Sequence, residues 1–330
     1  MEKNGQLTFS DDMILPGINN AYNLLETGDF ENASKIFDEM LSKNAEYPGL
    51  TEGYRIARFW LNRRKDINEL KDGKETADFY MNEWAKFYEY CQDKNTMNST
   101  AYKAIQKFIF YSAAEHYKIA YSNNEDPTNN FTFLLNLGKC LITIGEYYET
   151  ANILEYARNT YATNSKILSF LAEAYYHIND IPKSLLLFRE AFLLDPSSIE
   201  LDLLTSKPLL EIQKIVKTCK PFAADVREWI PVFGYIYDIF YVRRHINNQF
   251  VERLKMEILN FERILQTLSK DKKETSSVIP RLINRYLWLF DYFQFQNFNQ
   301  ENISDIKKRL NEIDKQTFEP YFKRLSAAKK

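Results

Sequence analysis

Residues 131–164 and 165–198 form two copies of one 34-residue unit in tandem, and a fixed period of this length is the signature of a solenoid. In the first copy Leu137, Gly138, Leu141, Gly145, Glu146, Tyr147, Thr150, Leu154 and Ala157 stand at the offsets that Leu171, Ala172, Tyr175, Asn179, Asp180, Ile181, Ser184, Phe188 and Ala191 hold in the second. The second copy closes on Asp195 and Pro196. Glycine and proline together are 19 of 330 residues, about 6%, against roughly 12% in average usage. Tight hairpin turns are therefore few, and long helices with short connections are expected.

The order large, small, large, turn, small, large, small, proline resembles the tetratricopeptide repeat. That resemblance implies two antiparallel helices per unit, with small residues facing each other and large ones packed between neighbours. A third copy lies at residues 14–47, with Leu24 in the first helix, Gly28, Asp29 and Phe30 at the turn, then Ala33, Phe37 and Met40. Its first helix departs from the pattern, because Asn20 stands where a large residue is usual. Terminal repeats are commonly atypical, having a neighbour on one side only.

The expected fold is all-α: a tetratricopeptide-like α-solenoid of four or five helix pairs over residues 1–198, closed by a helical C-terminal cap or bundle over residues 199–330. Residues 48–130 read as degenerate repeats. Ile56, Phe59 and Trp60 mark one helix, Phe79, Trp84, Phe87 and Tyr88 a second, and residues 99–121 a third, with a polar break around Gly73 and a stop at Pro127. After Pro196 the register is lost. Ser197 and Ser198 suit a short helix cap, Pro208 opens a helix to Lys220, and apolar residues from Ile239 to Leu268 recur at spacings of three and four, predicting one long amphipathic helix. A polar run at 270–277 breaks it; residues 278–295 are apolar and aromatic nearly all round, and Ile303, Ile306, Leu310 and Ile313 mark one more helix.

With 50 aromatic residues and 45% hydrophobic content the chain has material for a sizeable core. Cys91, Cys140 and Cys219 are odd in number and in no CxxC spacing, which argues against a disulfide framework or zinc site and for buried or inert free thiols. Residues 1–16 carry no basic start followed by an apolar run, so the cytoplasm is the expected compartment. The most apolar stretch, 229–242, is 14 residues long and falls short of the roughly 20 that span a bilayer. Charge is uneven: residues 1–198 hold 20 Lys and Arg against 28 Asp and Glu, and residues 199–330 hold 23 against 17. The basic half suits either an acidic partner or an ordinary solvated face, and it lacks the dense stripe of a nucleic-acid module.

Reactive-site motifs do not occur. The three histidines, His116, His177 and His245, have no HExxH-type partner, and GxGxxG, GxxxxGK[ST] and GxSxG are missing. No catalytic residue, metal ligand or cofactor is assigned, and the expectation is a non-enzymatic protein.

The repeat resemblance supplies the expected binding face. In tetratricopeptide proteins the first helices of successive units line a groove that takes a partner protein or peptide. The corresponding positions here include Thr132, Leu135 and Lys139 in one unit and Lys166, Ser169, Glu173, Tyr176 and His177 in the next. Leu135 and Ser169, with Lys139 and Glu173, depart from the lysine and asparagine clamp that holds chaperone tails. The same positions also suit plain helix surface, or surface covered by the C-terminal helices.

A second cluster, Trp229, Phe233, Tyr235, Tyr237, Phe240 and Tyr241 beside Arg243 and Arg244, reads as core in preference to a partner or nucleic-acid surface. Lys307, Lys308 and Arg309 read as a wet helix face. The function expected is an adaptor or scaffold. Its rivals are a structural subunit of a larger bacterial assembly, such as a motor or secretion apparatus, and a regulator that binds nucleic acid through the basic half.

Overall fold

The computed structural model describes residues 11–94, 96, 97, 99–126, 128, 130–161, 164–268 and 276–327. The expected stop at Pro127, most of the polar run at 270–277 and the first ten residues lie outside them. Among the described residues every regular element is helical and no strand occurs. The helices are α1 Asp11–Glu26, α2 Phe30–Lys43, α3 Leu50–Leu61, α4 Arg64–Glu69, α5 Lys74–Lys94, α6 Thr100–Ser122, α7 Asn130–Ile144 and α8 Tyr147–Thr160. There follow α9 Ser165–His177, α10 Ile181–Leu194, α11 Lys207–Cys219, α12 Val226–Ile236, α13 Asn248–Thr267, α14 Val278–Asp291, α15 Gln300–Ile313 and α16 Lys315–Ala327. None of these is long and apolar enough to cross a membrane. The chain divides into two compact units between Ile153 and Leu154. The boundary expected at 198 follows the last repeat, whereas this division falls inside α8.

The three repeat copies share one turn. Gly28, Gly145 and Asn179 occupy its fifteenth place, all with left-handed backbone at φ +80°, +87° and +68°. Each is followed by an acid whose backbone N–H reaches back five residues: Asp29 to the Leu24 carbonyl at 2.9 Å, Glu146 to Leu141 at 2.9 Å and Asp180 to Tyr175 at 2.8 Å. This bond satisfies a carbonyl that the helix end leaves unpaired. The acid then opens the next helix: Asp29 Oδ1 accepts the Asn32 N–H at 3.2 Å and Asp180 Oδ1 that of Lys183 at 3.3 Å.

In the first unit α6 is central, packing on α1, α3, α5 and α7. Ser99 caps its start by accepting the Tyr102 N–H at 3.2 Å. Ala101, Ala104, Ala113, Ala114 and Ala120 are all buried on this helix, and such short side chains let neighbouring helices approach closely. Around it lies an aromatic core in which Trp60 and Phe87 are fully buried and the Phe87 and Tyr102 rings stack 5.7 Å apart. Burying one such Phe contributes about 1.5–3 kcal/mol. At the expected break, Gly73 donates its backbone N–H to His116 Nδ1 at 3.3 Å, so that histidine is a satisfied acceptor.

In the second unit α9 packs on α10, and the small residues Ala172, Ser184 and Ala191 are fully buried. The centre is α14, on which every residue from Leu282 to Asp291 is buried and which packs on α10, α12, α13 and α15.

One expectation here is corrected. The long helix begins at Asn248, not near Ile239. Asp238, at φ +56°, ends α12, and the N–H groups of Ile239 and Phe240 both turn back to the Gly234 carbonyl at 2.9 Å. Beyond this turn the chain runs beside Gln296, which accepts the Ile246 N–H at 3.0 Å and donates to the Arg244 carbonyl at 2.7 Å. The chain also continues past Ile313 into α16, capped by Asp314, whose Oδ1 accepts the Thr317 N–H at 3.2 Å.

Candidate functional site

The stripe on α9 is set up by Asn164, which caps the helix by accepting the Lys166 N–H at 2.8 Å. Ile167, Leu168, Phe170, Leu171 and Ala174 turn into the core, which fixes the face that carries Lys166, Ser169, Glu173 and Tyr176. Lys166 Nζ binds Glu200 at 3.1 Å. Ser169 is fully buried and donates to the Lys166 carbonyl at 2.9 Å. Glu173 is 1% exposed; its Oε1 accepts the Thr205 backbone N–H at 2.5 Å and the Thr205 hydroxyl at 2.9 Å. His177 Nε2 lies 3.0 Å from that oxygen and 3.1 Å from the Thr205 hydroxyl, and the Tyr176 ring packs edge-on to the imidazole at 5.3 Å. Ser169 and Glu173 are thus buried rather than presented to solvent, with Thr205 seated on the Glu173 carboxylate. A partner meets Glu173 only if this segment moves.

On α7, in the first unit, Thr132 is exposed while Leu135 and Lys139 are half-buried. Beside them Asn136 Nδ2 donates to the Tyr117 hydroxyl at 3.2 Å, and that hydroxyl donates to Asp78 at 2.9 Å. Burial, with Asp78 next to it, drives the Tyr117 pKa far above the usual tyrosine range.

The aromatic cluster after Trp229 divides. Phe233 and Phe240 are core, whereas Tyr237 and Tyr241 are exposed. Its positive charge is compensated: Arg244 binds Glu190 at 2.6 Å, and Arg243 Nε reaches Asp291 at 3.2 Å with its guanidinium over the Phe295 ring. Lys308 and Arg309 are exposed on α15 between buried Ile306 and Leu310.

Sequence reasoning missed the polar seam of α14. Arg281 binds the buried Glu228 at 2.6 Å and Asp195 at 2.9 Å. Asn284 and Arg285 donate to the carbonyls of Phe192 and Leu193, at 3.2 and 2.9 Å, in the last turn of α10. Asp291 pairs with Arg189 and accepts the Tyr235 hydroxyl at 2.9 Å. Burial, reinforced by Asp291, raises the Tyr235 pKa well above normal, and burial pushes Tyr321 up to about 12. The signal was present: Arg281, Asn284, Arg285 and Asp291 recur at helical spacing within an otherwise apolar segment.

Among the described residues no group of three or more His, Cys, Asp or Glu side chains is placed to hold a metal ion. The clefts of the second unit are surface features; one of about 410 Å³ is lined by Cys219, Phe222, Trp229 and Asp314. Comparison with family models, curated proteins and solved structures gives no match.

Proposed function

We propose that the chain is a non-enzymatic adaptor or scaffold of cytoplasmic location, built as a tetratricopeptide-like solenoid, which binds a partner protein or peptide through the first-helix faces of its repeats. The observation that carries this reading is the common turn of the three 34-residue copies. A left-handed residue at Gly28, Gly145 and Asn179 is followed each time by an acid whose backbone N–H closes one helix; in two of the three, Asp29 and Asp180, the carboxylate caps the next. Repetition of one helix hairpin builds extended surface, and such surfaces are what helical-repeat proteins use for binding. The pairing of Arg243 and Arg244 with internal carboxylates leaves less free positive charge for phosphates, which favours a protein partner over nucleic acid.

The test is affinity purification of the tagged full chain from its native cell, beside the variant Thr132→Glu with Lys139→Glu. Recovery of one stoichiometric partner by the wild type, lost in a variant of unchanged helical content, supports the α7 face. Recovery of none, or equal recovery by both, refutes it.

A further inference from the structure

We infer that residues 200–205 are an internal ligand of the α9 face, a displaceable strap that holds the place of an extended partner segment. The inference rests on the reading of first-helix faces as binding surfaces. The strap follows α9 in the same direction: Glu200 meets Lys166 at 3.1 Å, and five residues later Thr205 meets Glu173 at 2.5 Å through its backbone N–H. Both partners on α9 belong to the stripe that the repeat resemblance assigns to peptide contact. One side-chain charge pair and one main-chain donor are what an extended peptide offers a helix face.

The strap is weakly embedded. Of its six residues only Leu204 is buried; Asp202 and Thr205 are exposed and the other three are half-buried. Its regular structure is a single 3-10 turn, Leu201–Leu203. It is held at each end. Arg227 donates to the carbonyls of Ser197 and Ile199, and beyond Thr205 the Ser206 carbonyl accepts the Leu210 N–H of α11 at 3.1 Å. Tethering of this kind gives a loose ligand a high effective concentration.

The fit is also incomplete. Glu173 Oε2 and Ser206 Oγ are both buried without a hydrogen-bond partner. An unpaired buried acceptor is costly, so a ligand that brings a second donor to Glu173 has an advantage over Thr205. The partner chemistry follows: an extended segment with an acid opposite Lys166, an aliphatic residue four positions on, and then a residue giving Glu173 its backbone N–H plus a further donor, such as Asn or Arg.

Two measurements on the full chain decide this. Native-state hydrogen exchange of the wild type is expected to show the Thr205 amide opening at least about 100-fold more readily than α9 core amides such as Leu171. Equal protection would mean that the strap opens only with the whole unit, and would overturn the inference. The second uses a fluorescent synthetic peptide of residues 198–207 and the variant Glu200→Lys with Thr205→Pro, which strips the strap of its acid and its donor. The variant is expected to bind the peptide at least about 10-fold more tightly than the wild type, whose site is filled by an effectively more concentrated strap. A folded variant that binds no better overturns the inference; should the variant lose helical content, the exchange result decides. Because the probe is synthetic, failure here leaves partner capture through α7 standing, and loss of that capture leaves the strap result intact.

Discussion

Asn284 Nδ2 donates to the Phe192 carbonyl at 3.2 Å across 92 positions of sequence, and both residues are buried. With Arg285 on Leu193, side chains of α14 satisfy two carbonyls at the end of α10, beside the local cap that the Asp195 N–H makes on the Ala191 carbonyl. The replacement Asn284→Leu keeps the branched outline, though it is larger, and strands a buried carbonyl. Its expected cost is about 1–3 kcal/mol, read as a lower urea midpoint at unchanged slope.

Arg189 and Asp291 are a buried pair, each about one-twentieth exposed. Asp291→Ala leaves the guanidinium without its carboxylate and is expected to cost about 3–5 kcal/mol. Arg189→Met combined with Asp291→Leu is expected to recover part of that loss, since the pair then has no ion to desolvate, while the Tyr235 hydroxyl and Arg243 still lose their acceptor. Urea unfolding of the wild type, the singles Arg189→Met and Asp291→Leu, and the double gives the coupling directly.

Gly28 and Gly145 share a left-handed backbone but not a neighbourhood. A Cβ on Gly28 would sit 2.4 Å from the Phe108 ring, whereas one on Gly145 meets nothing closer than 3.9 Å. Gly145→Ala is expected to cost about 1–2 kcal/mol from backbone strain alone. Gly28→Ala adds the displacement of a core-facing ring and is expected to be the worse by about 1–3 kcal/mol, measured by thermal unfolding.

The thiols divide by burial. Cys91 and Cys140 are buried, and burial pushes the Cys140 thiol up to about 12, while Cys219 is exposed. A chromogenic disulfide reagent at pH 8 is expected to label one thiol quickly in the native protein and all three after denaturation. Cys219→Ser removes the fast phase.

Three partly buried carboxylates, Glu83, Glu155 and Asp195, contribute to the acid limit. Burial pushes Glu83, Glu155 and Asp195 upward, but their bonds to Lys86 and Arg63, to Lys183 and Tyr175, and to Ser197 and Arg281 outweigh it and leave each below its usual range. A depressed carboxylate contributes stability above its unfolded pKa, near 4, and loses it as pH falls through the folded value. Stability is therefore expected to be flat from neutrality to about pH 5 and to fall below about pH 4. Arg281→Met, which removes one of the contacts holding Asp195 low, moves the acid midpoint upward in a circular-dichroism titration.

The helical class, the 34-residue register and the helices α3, α5, α6, α11, α14 and α15 were legible in the sequence, because apolar spacing, caps and left-handed turn residues are local signals. The misplaced start of α13 shows the limit. Val242 and Ile246 fall at helical spacing, yet they lie on the non-helical stretch that Asp238 and Gln296 fold back. Only the tertiary structure placed Thr205 on Glu173 and the polar residues of α14 on the last turn of α10. A helix end left with unpaired carbonyls, and a carboxylate about to be buried, do not specify from which part of the chain their donors come. That choice is made when the distant helices pack, since only then does the loss of water make each unpaired group costly.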